Sequence, residues 1–299
     1  MPEILKLRLD KILFRKLING VRDFQALSKT QSDWRLAQKD SIKKKDLFAS
    51  LVEAKDPETG GSLTEEQIVA ETGSLLLAGS DTQGTTLAAT LFYCLHYPRT
   101  LDILQHEIRT TFADVEDIRI SKQLSSCHYL RACIEESLRL SPPIGGLLLR
   151  EILPGGLIVD GERLPAGVNV GVPHYAIHHN EKYYPQPFSF RPERWILSGA
   201  SASELGVSEA VMALAQSAFC AFGVGKTNCI GKALAYSEMS IILARIVWLY
   251  DLRLQADSVL GEGRLSLGDG RSRKNEFQTW DGFFSTHDGP LVEFKPRFS

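Results

Sequence analysis

Apolar and basic positions alternate near the start of the chain in a pattern typical of an amphipathic helix. Between residues 3 and 35, isoleucine, leucine and valine recur at helical spacing among lysine and arginine. We expect a surface helix packed on a core, with a membrane-surface helix or an organelle-targeting segment as alternatives. The KDSIKKK segment, residues 39–45, predicts a solvated basic loop.

A helix predicted over residues 64–97 is apolar on all its faces. The TEEQ sequence at Thr64 has the form of a capping box, and Pro98 ends the helix. After residue 71 the only formal charge in this helix is Asp81. A charge near the middle of a membrane span costs about 2.5–3.5 kcal/mol. We therefore predict a buried core helix rather than a transmembrane one.

Shorter patterned segments follow and indicate a mixed fold. Helices are predicted over residues 101–111, 129–140 and 229–250. Residues 147–172 contain short apolar runs separated by Pro-Gly, Asp-Gly and Pro-Ala-Gly, which favours strands and hairpins. The Pro- and aromatic-rich residues 180–195 favour irregular structure, and the Gly-rich tail, residues 252–299, has strand-like ends. The predicted class is mainly α with a minor β part (α+β).

Composition narrows the class of protein. The 299 residues are 43% hydrophobic and 23% charged, which excludes a disordered chain and allows one large domain. A net charge of −2 argues against a nucleic-acid partner. Five cysteines in so long a chain do not indicate a disulfide framework, and no secretory signal is present, so a reducing compartment is expected.

The strongest chemical signal is the sequence FGVGKTNCIGKALA, residues 222–235. Cys229 follows a glycine-containing loop at a predicted helix start, where a thiolate is stabilised. Gly225 and Gly231 allow close backbone approach, and Phe222 supplies an apolar wall. No second cysteine or histidine lies at zinc spacing, whereas a single cysteine suits haem. A buried structural cysteine is the alternative.

Three other groups of residues add polar chemistry. Asp81 and Thr82, in the AGSDT sequence of the apolar helix, place an acid beside an alcohol and could relay protons. Helix packing through small residues is the alternative for that sequence. Glu136 and Arg139 have the spacing of a helical ion pair. The FRPERW sequence, residues 190–195, is an aromatic-flanked loop with two arginines.

In this order and spacing, the four motifs resemble those of the haem-thiolate monooxygenases of the cytochrome P450 family. The resemblance runs from about residue 45 to residue 296. The general character of the sequence is similar to that of fungal enzymes of secondary metabolism. The matching positions are residues 78–82 for the oxygen-activation motif, Glu136 and Arg139 for Glu-x-x-Arg, residues 192–195 for the Pro-Glu-Arg-aromatic motif, and Phe222, Gly225, Cys229 and Gly231 for the cysteine loop.

The resemblance assigns roles to these residues. It implies that Cys229 is the axial ligand of the haem iron and that Asp81 and Thr82 deliver protons during oxygen activation. The positions implied to bind haem around that ligand are Phe222, Gly225, Lys226, Gly231 and Arg150. The positions implied to form a structural charge network are Glu136, Arg139 and Arg194. The implied substrate-lining segments are residues 144–149, residues 76–79 and the Phe283-Phe284 turn.

The sequence departs from the family pattern in two ways. Thr227 stands where the family has an arginine that pairs with a haem propionate, and Lys226 is the adjacent cation. The resemblance also implies an N-terminally truncated chain, so that residues 1–299 are the C-terminal portion of one haem domain. The expected parts are residues 1–44 (helix and basic loop), 64–97 (oxygen-activation helix), 129–140 (Glu-x-x-Arg helix), 147–195 (β part and Pro-Glu-Arg segment), 222–250 (cysteine loop and helix) and 252–299 (strands).

The function implied is a haem-dependent monooxygenase that oxidises an apolar small organic substrate with dioxygen in a secondary-metabolite pathway. Electrons would come from NADPH through cytochrome P450 reductase. Two alternatives are a truncated, inactive remnant and an unrelated helical protein with accidental motifs. The resemblance implies the cytosolic face of the endoplasmic reticulum, with the cytoplasm as the alternative, and it leaves membrane contact open.

Overall fold

The computed structural model describes residues 15–38, 46–197 and 206–298. The predicted basic loop, residues 39–45, and the start of the predicted first helix, residues 3–14, lie outside the described residues. Two compact units, Met1–Ser80 and Asp81–Ser299, divide the chain inside its longest helix.

The described residues are mainly helical. The helices are α1 (Arg15–Ala37), α2 (Leu47–Glu53), α3 (Glu65–His96), α4 (Pro98–Thr111), α5 (Lys122–Ser125), α6 (His128–Leu140), α7 (His174–His178), α8 (Glu209–Ala218) and α9 (Lys232–Leu249). The strands are β1 (Arg150–Glu151), β2 (Leu157–Val159), β3 (Glu162–Leu164), β4 (Asn169–Val170), β5 (Tyr250–Leu254), β6 (Thr279–Gly282), β7 (Phe284–His287) and β8 (Val292–Pro296). The predicted mainly α fold with a minor β part is confirmed.

In the first unit, polar contacts organise α1, α2 and the beginning of α3. Asp46 caps α2 by accepting from the Ala49 N–H at 2.8 Å, and it forms an ion pair with Arg35 at 3.1 Å. The Ala49 N–H and Arg35 hold the pKa of this carboxyl below its usual value. A Cβ on Gly73 would lie 3.1 Å from the Ser28 Oγ, so a glycine lets α1 and α3 approach closely.

The start of α3 has the predicted capping box. The Thr64 N–H donates to the Gln67 Oε1 at 2.9 Å, and the Gln67 N–H donates to the Thr64 Oγ1 at 3.3 Å. Two N–H groups that the helix cannot satisfy are therefore paired by local side chains. This explains why the helix begins where the sequence predicts.

Burial along α3 differs from the prediction of a core helix. Ala89, Phe92 and Tyr93 are fully buried, but Leu75 and Leu76 are 40% and 42% exposed. The prediction holds for the C-terminal half and is wrong for the middle, because burial depends on neighbouring elements and not on the apolar character of the helix itself. None of the helices that the structure describes is long and apolar enough to cross a bilayer.

The core of the second unit forms where the C-terminal half of α3 meets α4, α6 and α9. Buried apolar side chains fill this junction, among them Phe92, Leu104, Ile134, Met239 and Val247. The polar groups inside it are paired: the Tyr93 and Ser141 hydroxyls are 2.8 Å apart, and the Trp248 Nε1 donates to the Phe112 carbonyl at 3.0 Å. The core is thus built mainly from these four helices.

The strands form four antiparallel pairs: β1 with β4, β2 with β3, β5 with β8, and β6 with β7. The β2–β3 hairpin turns at Asp160 and Gly161, whose φ values are 50° and 85°. Positive φ at both central residues is typical of a type I′ turn, for which Asp-Gly is favoured. The hairpins predicted over residues 147–172 are confirmed.

Four short helices, α2, α5, α7 and α8, have no counterpart in the sequence prediction. Three of them span seven residues or fewer, so they have too few turns to show a helical period. Side-chain caps at Asp46, Ser121 and Ser208 begin α2, α5 and α8. Those caps are the signal that could have located these three helices.

The two halves of α3 should respond differently to truncation. Phe92→Ala is expected to lower the free energy of unfolding by about 3–5 kcal/mol, because it removes a fully buried ring from the core. Leu76→Ala, at a position 42% exposed, is expected to change it by less than about 1 kcal/mol. Urea denaturation of both variants measures the difference. Equal losses would contradict the described burial of this helix.

Candidate functional site

The cysteine loop, residues 222–231, is closed by its own backbone. The Cys229 N–H donates to the Phe222 carbonyl at 2.7 Å. Gly223 and Gly225 have φ values of 72° and 81°, which glycine adopts without strain. Cys229 is exposed, and a Cβ on Gly231 would lie 3.7 Å from its Sγ. The loop therefore presents an accessible thiol on a constrained turn.

The helix after this loop begins later than predicted. Gly231 is the N-cap and α9 starts at Lys232, so the prediction of a helix from Cys229 is wrong. The bond to Phe222 and the 3-10 turn Gly225–Thr227 keep Cys229 in the loop. The thiol is thus positioned by the turn, and the helix begins after it.

The wall beside the loop consists of aromatic and cationic side chains. The Phe222 ring lies 5.0 Å from the Tyr236 ring, and the Arg131 guanidinium lies 3.2 Å from the centroid of the Tyr236 ring. Arg131 also pairs with Glu135 at 2.8 Å. Cys229, Arg131 and Tyr236 are among the residues that line a cavity of about 580 Å³. Arg131 and Tyr236 were not predicted, because their spacing in the chain gives no signal of their contact.

Arg150 reaches the position at which the family arginine is missing. Its Nη2 donates to the Thr227 Oγ1 at 3.3 Å. Lys226, the neighbouring cation, is exposed. The structure therefore places two exposed cationic side chains, Arg150 and Lys226, around the cysteine loop.

Asp81 and Thr82 lie where α3 enters the second unit. Asp81 is exposed and Thr82 is half-buried. The Thr86 Oγ1 donates to the Thr82 carbonyl at 2.8 Å, a bond that competes with the helix ladder at this turn. The acid and the alcohol are thus adjacent on one continuous helix.

Long-range hydrogen bonds bring this turn of α3 to the other site elements. The Gln83 Nε2 donates to the Glu238 Oε2 on α9 at 2.6 Å, and the Thr85 Oγ1 donates to the Ser285 carbonyl at 3.2 Å. The Ser285 N–H donates to the Pro143 carbonyl at 2.8 Å. Residues 83–85 of α3, the helix α9, the β6–β7 hairpin (the C-terminal hairpin) and residues 141–150 (the segment after α6) therefore converge.

Two of the three predicted substrate-lining segments meet in one cavity. Ile144, Leu147, Leu148 and Phe283 line a cavity of about 240 Å³. Gly146 and Asp281 complete its lining. Asp281 was not singled out in the sequence, because it is a lone acid in a turn-rich segment. The third predicted segment, residues 76–79, belongs to the first unit.

Glu136 is the centre of a buried ion-pair network. Arg139 contacts its carboxylate through two hydrogen bonds of 2.9 and 2.8 Å, and Arg194 donates at 3.0 Å. The Trp195 Nε1 and the Arg191 backbone N–H each donate at 3.0 Å. Glu136 and Arg139 have no exposed surface, and Arg194 is 6% exposed. The sequence pattern supplied the three charges but not the donors from Trp195 and Arg191.

The network also fixes the chain that lies between α7 and the Pro-Glu-Arg segment. The two arginines also donate to backbone carbonyls. Those acceptors are His178 and Pro187 at 2.8 and 2.7 Å and Ser189 at 3.3 Å for Arg139, and Gln186 at 2.9 Å for Arg194. The two buried cations are thereby paired with one carboxylate and with backbone carbonyls.

Two opposing effects determine the pKa of Glu136. Burial alone would raise it, but the positive charges and hydrogen bonds of Arg139 and Arg194, with the Arg191 N–H, lower it below its ordinary value. The carboxylate is therefore ionised at neutral pH in the folded chain. Its two arginines would otherwise be buried without a counter-ion.

The donors around Cys229 suit a cofactor that needs one protein ligand. In the part of the chain that the structure describes, no group of three or more His, Cys, Asp or Glu side chains could hold a bare metal ion. A haem needs only one axial thiolate, since its macrocycle supplies four iron ligands. The accessible thiol, the Cβ-free Gly231 beside it and the nearby Arg150 fit such a group and its carboxylates.

Comparisons with known proteins agree with this geometry. The cytochrome P450 family profile matches residues 11–261. The cytochrome P450 monooxygenase AKT7 of Alternaria alternata is 42% identical over 96% of this chain and 55% of its own length. The cytochrome P450 monooxygenases apf7 and apf8 of Gibberella fujikuroi are 44% and 41% identical, over 99% and 97% of this chain and 56% and 76% of their own lengths.

The chain belongs to the cytochrome P450 family, and it has fungal relatives over nearly its whole length. The predicted family is thereby confirmed. The chain spans about half the length of the first two of these relatives.

Removing the charge of Glu136 should destabilise the fold strongly. Glu136→Gln is expected to lower the free energy of unfolding by about 3–5 kcal/mol at pH 7, because it leaves two buried arginines without a counter-ion. Glu135→Gln is the matched control, since it removes an adjacent carboxylate whose partner Arg131 is 44% exposed, and it should cost about 0–1 kcal/mol. Urea denaturation measures both.

The gap in the free energy of unfolding between wild type and Glu136→Gln should also depend on pH. The folded pKa of Glu136 lies below its ordinary value, so its stabilisation is present above the unfolded pKa and is lost as pH falls through the folded pKa. The gap should therefore narrow in acid. A gap that is small at pH 7, or one that widens in acid, would show that the network does not depend on the charge of Glu136.

Proposed function

We propose that this chain is a haem-dependent monooxygenase that oxidises an apolar small organic substrate in a secondary-metabolite pathway. The observation that carries the proposal is the accessible Cys229 thiol on its glycine-containing turn, in a chain of the cytochrome P450 family. The names of the fungal relatives, which are cytochrome P450 monooxygenases, support the same reaction class. The apolar cavity at Ile144 and Phe283 supports an apolar substrate.

Four side chains would hold the cofactor. Cys229 would bind the haem iron through its Sγ, with Gly231 leaving room beside it. Phe222 would cover the ligand side with an apolar wall, and Arg150 would bind a haem carboxylate, supported by Lys226. When bound, haem supplies the activation of dioxygen that the protein side chains cannot perform.

Asp81 and Thr82 would handle protons on the oxygen side. The Thr82 Oγ1 would hold a proton on the oxygen side of the cofactor, and the Asp81 carboxylate, which is exposed, would exchange protons with solvent. The hydrogen bonds of Gln83 to α9 and of Thr85 to the C-terminal hairpin would keep this turn beside α9 and the apolar cavity. Asp81 and Thr82 would therefore deliver protons close to the apolar cavity in which the substrate would bind.

We further propose that electrons come from NADPH through cytochrome P450 reductase, on the cytosolic face of the endoplasmic reticulum. Family membership supports both statements. The cationic side chains Arg131 and Lys232, which line the cavity beside Cys229, would suit an acidic protein partner.

A haem-binding chain without turnover is the second candidate function. The exposure of Asp81 and of Leu75 and Leu76 favours it, because oxygen activation requires a site that excludes water. Haem uptake without coupled oxidation would distinguish this candidate from the enzyme.

Cys229 should determine haem ligation. The purified chain, loaded with haem, reduced and treated with carbon monoxide, is expected to show the absorption band of a thiolate-ligated haem. Cys229→Ala should lose that band, because the remaining cysteines are not placed on the loop. Cys220→Ala, nine residues earlier and half-buried, is the matched control and should keep it. No haem uptake by the wild type, or an unchanged band in Cys229→Ala, would refute the proposed site.

Thr82 should control the coupling of oxygen consumption to product. Thr82→Ala is expected to raise peroxide release per NADPH several-fold, because a hydroxyl that positions a proton is lost. Ser80→Ala removes an exposed hydroxyl two residues away and should leave coupling unchanged. Oxygen-electrode and peroxide assays with the reductase measure both. Equal coupling in wild type and Thr82→Ala would contradict the proton role.

A further inference from the structure

A single carboxylate lies among apolar groups in the cavity of about 240 Å³. Asp281, on β6, faces this space together with Ile144, Leu147, Leu148 and Phe283. Everything else that lines the cavity is apolar side chain or, at Gly146, backbone. An acid in such a setting gives the cavity one charged end.

Gly146 is required for this placement. A Cβ at position 146 would collide with the Asp281 Oδ2, the nearest atom to it. The φ of Gly146 is not in the left-handed region, so the turn itself does not require glycine there. Glycine at 146 therefore serves the close approach of the carboxylate to the chain.

Asp281 has no hydrogen-bond or ion-pair partner among the residues that the structure describes. Arg271, a cation of the same segment, donates to the Thr279 carbonyl and lies 5.1 Å over the Trp280 ring. An apolar ligand that fills the cavity would remove water from this carboxylate. Desolvating an unpaired charge is costly, whereas a cation on the ligand would restore its pairing.

We propose that Asp281 and Gly146 form a substrate subsite for an organic ammonium cation carried by an apolar ligand. The subsite rests on the proposed function only in naming the ligand a substrate. It narrows the substrate class from apolar molecules in general to apolar molecules with one cationic group. The carboxylate would fix which end of such a molecule enters between the segment after α6 and the C-terminal hairpin.

Two probes of equal chain length test the subsite. Octyltrimethylammonium carries a positive charge but no lone pair, so it cannot coordinate iron, and octanol is its neutral counterpart. Isothermal titration calorimetry of the full chain is expected to show that Asp281→Asn weakens binding of the cation about fivefold, as for a partly exposed ion pair. Octanol binding should not weaken, because a neutral ligand gains nothing from the charge.

Two further variants sharpen the result. Asp288→Asn removes another exposed carboxylate of the same segment, outside the cavity, and should leave both affinities unchanged. Gly146→Ala should reproduce the selective loss for the cation, because the added Cβ displaces the carboxylate. Haem uptake is measured on the same preparations, so a chain that discriminates the probes without binding haem would refute the proposed function and keep the subsite.

Three outcomes would overturn the subsite. The first is unchanged affinity for the cation in Asp281→Asn. The second is an equal loss of affinity for both probes, and the third is a wild type that binds neither probe.

Discussion

The buried carboxylate of Glu136 is the interaction on which the second unit depends. It is the counter-ion for Arg139 and Arg194, both removed from water, and it also accepts from Trp195. The two arginines use their remaining donors on backbone carbonyls of the chain before the Pro-Glu-Arg segment. One helix is therefore fixed to an irregular segment that has little regular structure of its own. Loss of the Glu136 charge would therefore destabilise both α6 and the irregular segment.

From this fixed helix, a series of hydrogen bonds leads to the candidate site. Ser141, at the end of α6, contacts the Tyr93 hydroxyl, and Pro143 accepts from the Ser285 N–H. The Ser285 carbonyl in turn accepts from Thr85 on the long helix. The segment after α6 ends at Arg150, which donates to Thr227 in the cysteine loop. Thr85 of α3, the apolar cavity and the cysteine loop are thus held by one connected set of backbone and side-chain contacts.

Local signals could be predicted from the sequence and long-range contacts could not. The capping box at Thr64 and the Asp160 turn depend on residues within four positions of each other, and both were predicted. The exposure of Leu76 and the contact of Trp195 with Glu136 depend on elements far apart in the chain. Asp281 became notable only when the fold placed it in an apolar cavity. The motifs predicted the charged residues, whereas their hydrogen-bonding partners could be identified only from the structure.

We propose that the Cys229 thiolate ligates a haem iron. X-ray absorption at the iron edge of the haem-loaded chain tests this ligation, because the method identifies the atoms bound to the metal. We expect one sulfur neighbour of the iron in the wild type and none in Cys229→Ser. An iron surrounded only by nitrogen and oxygen in the wild type would contradict it.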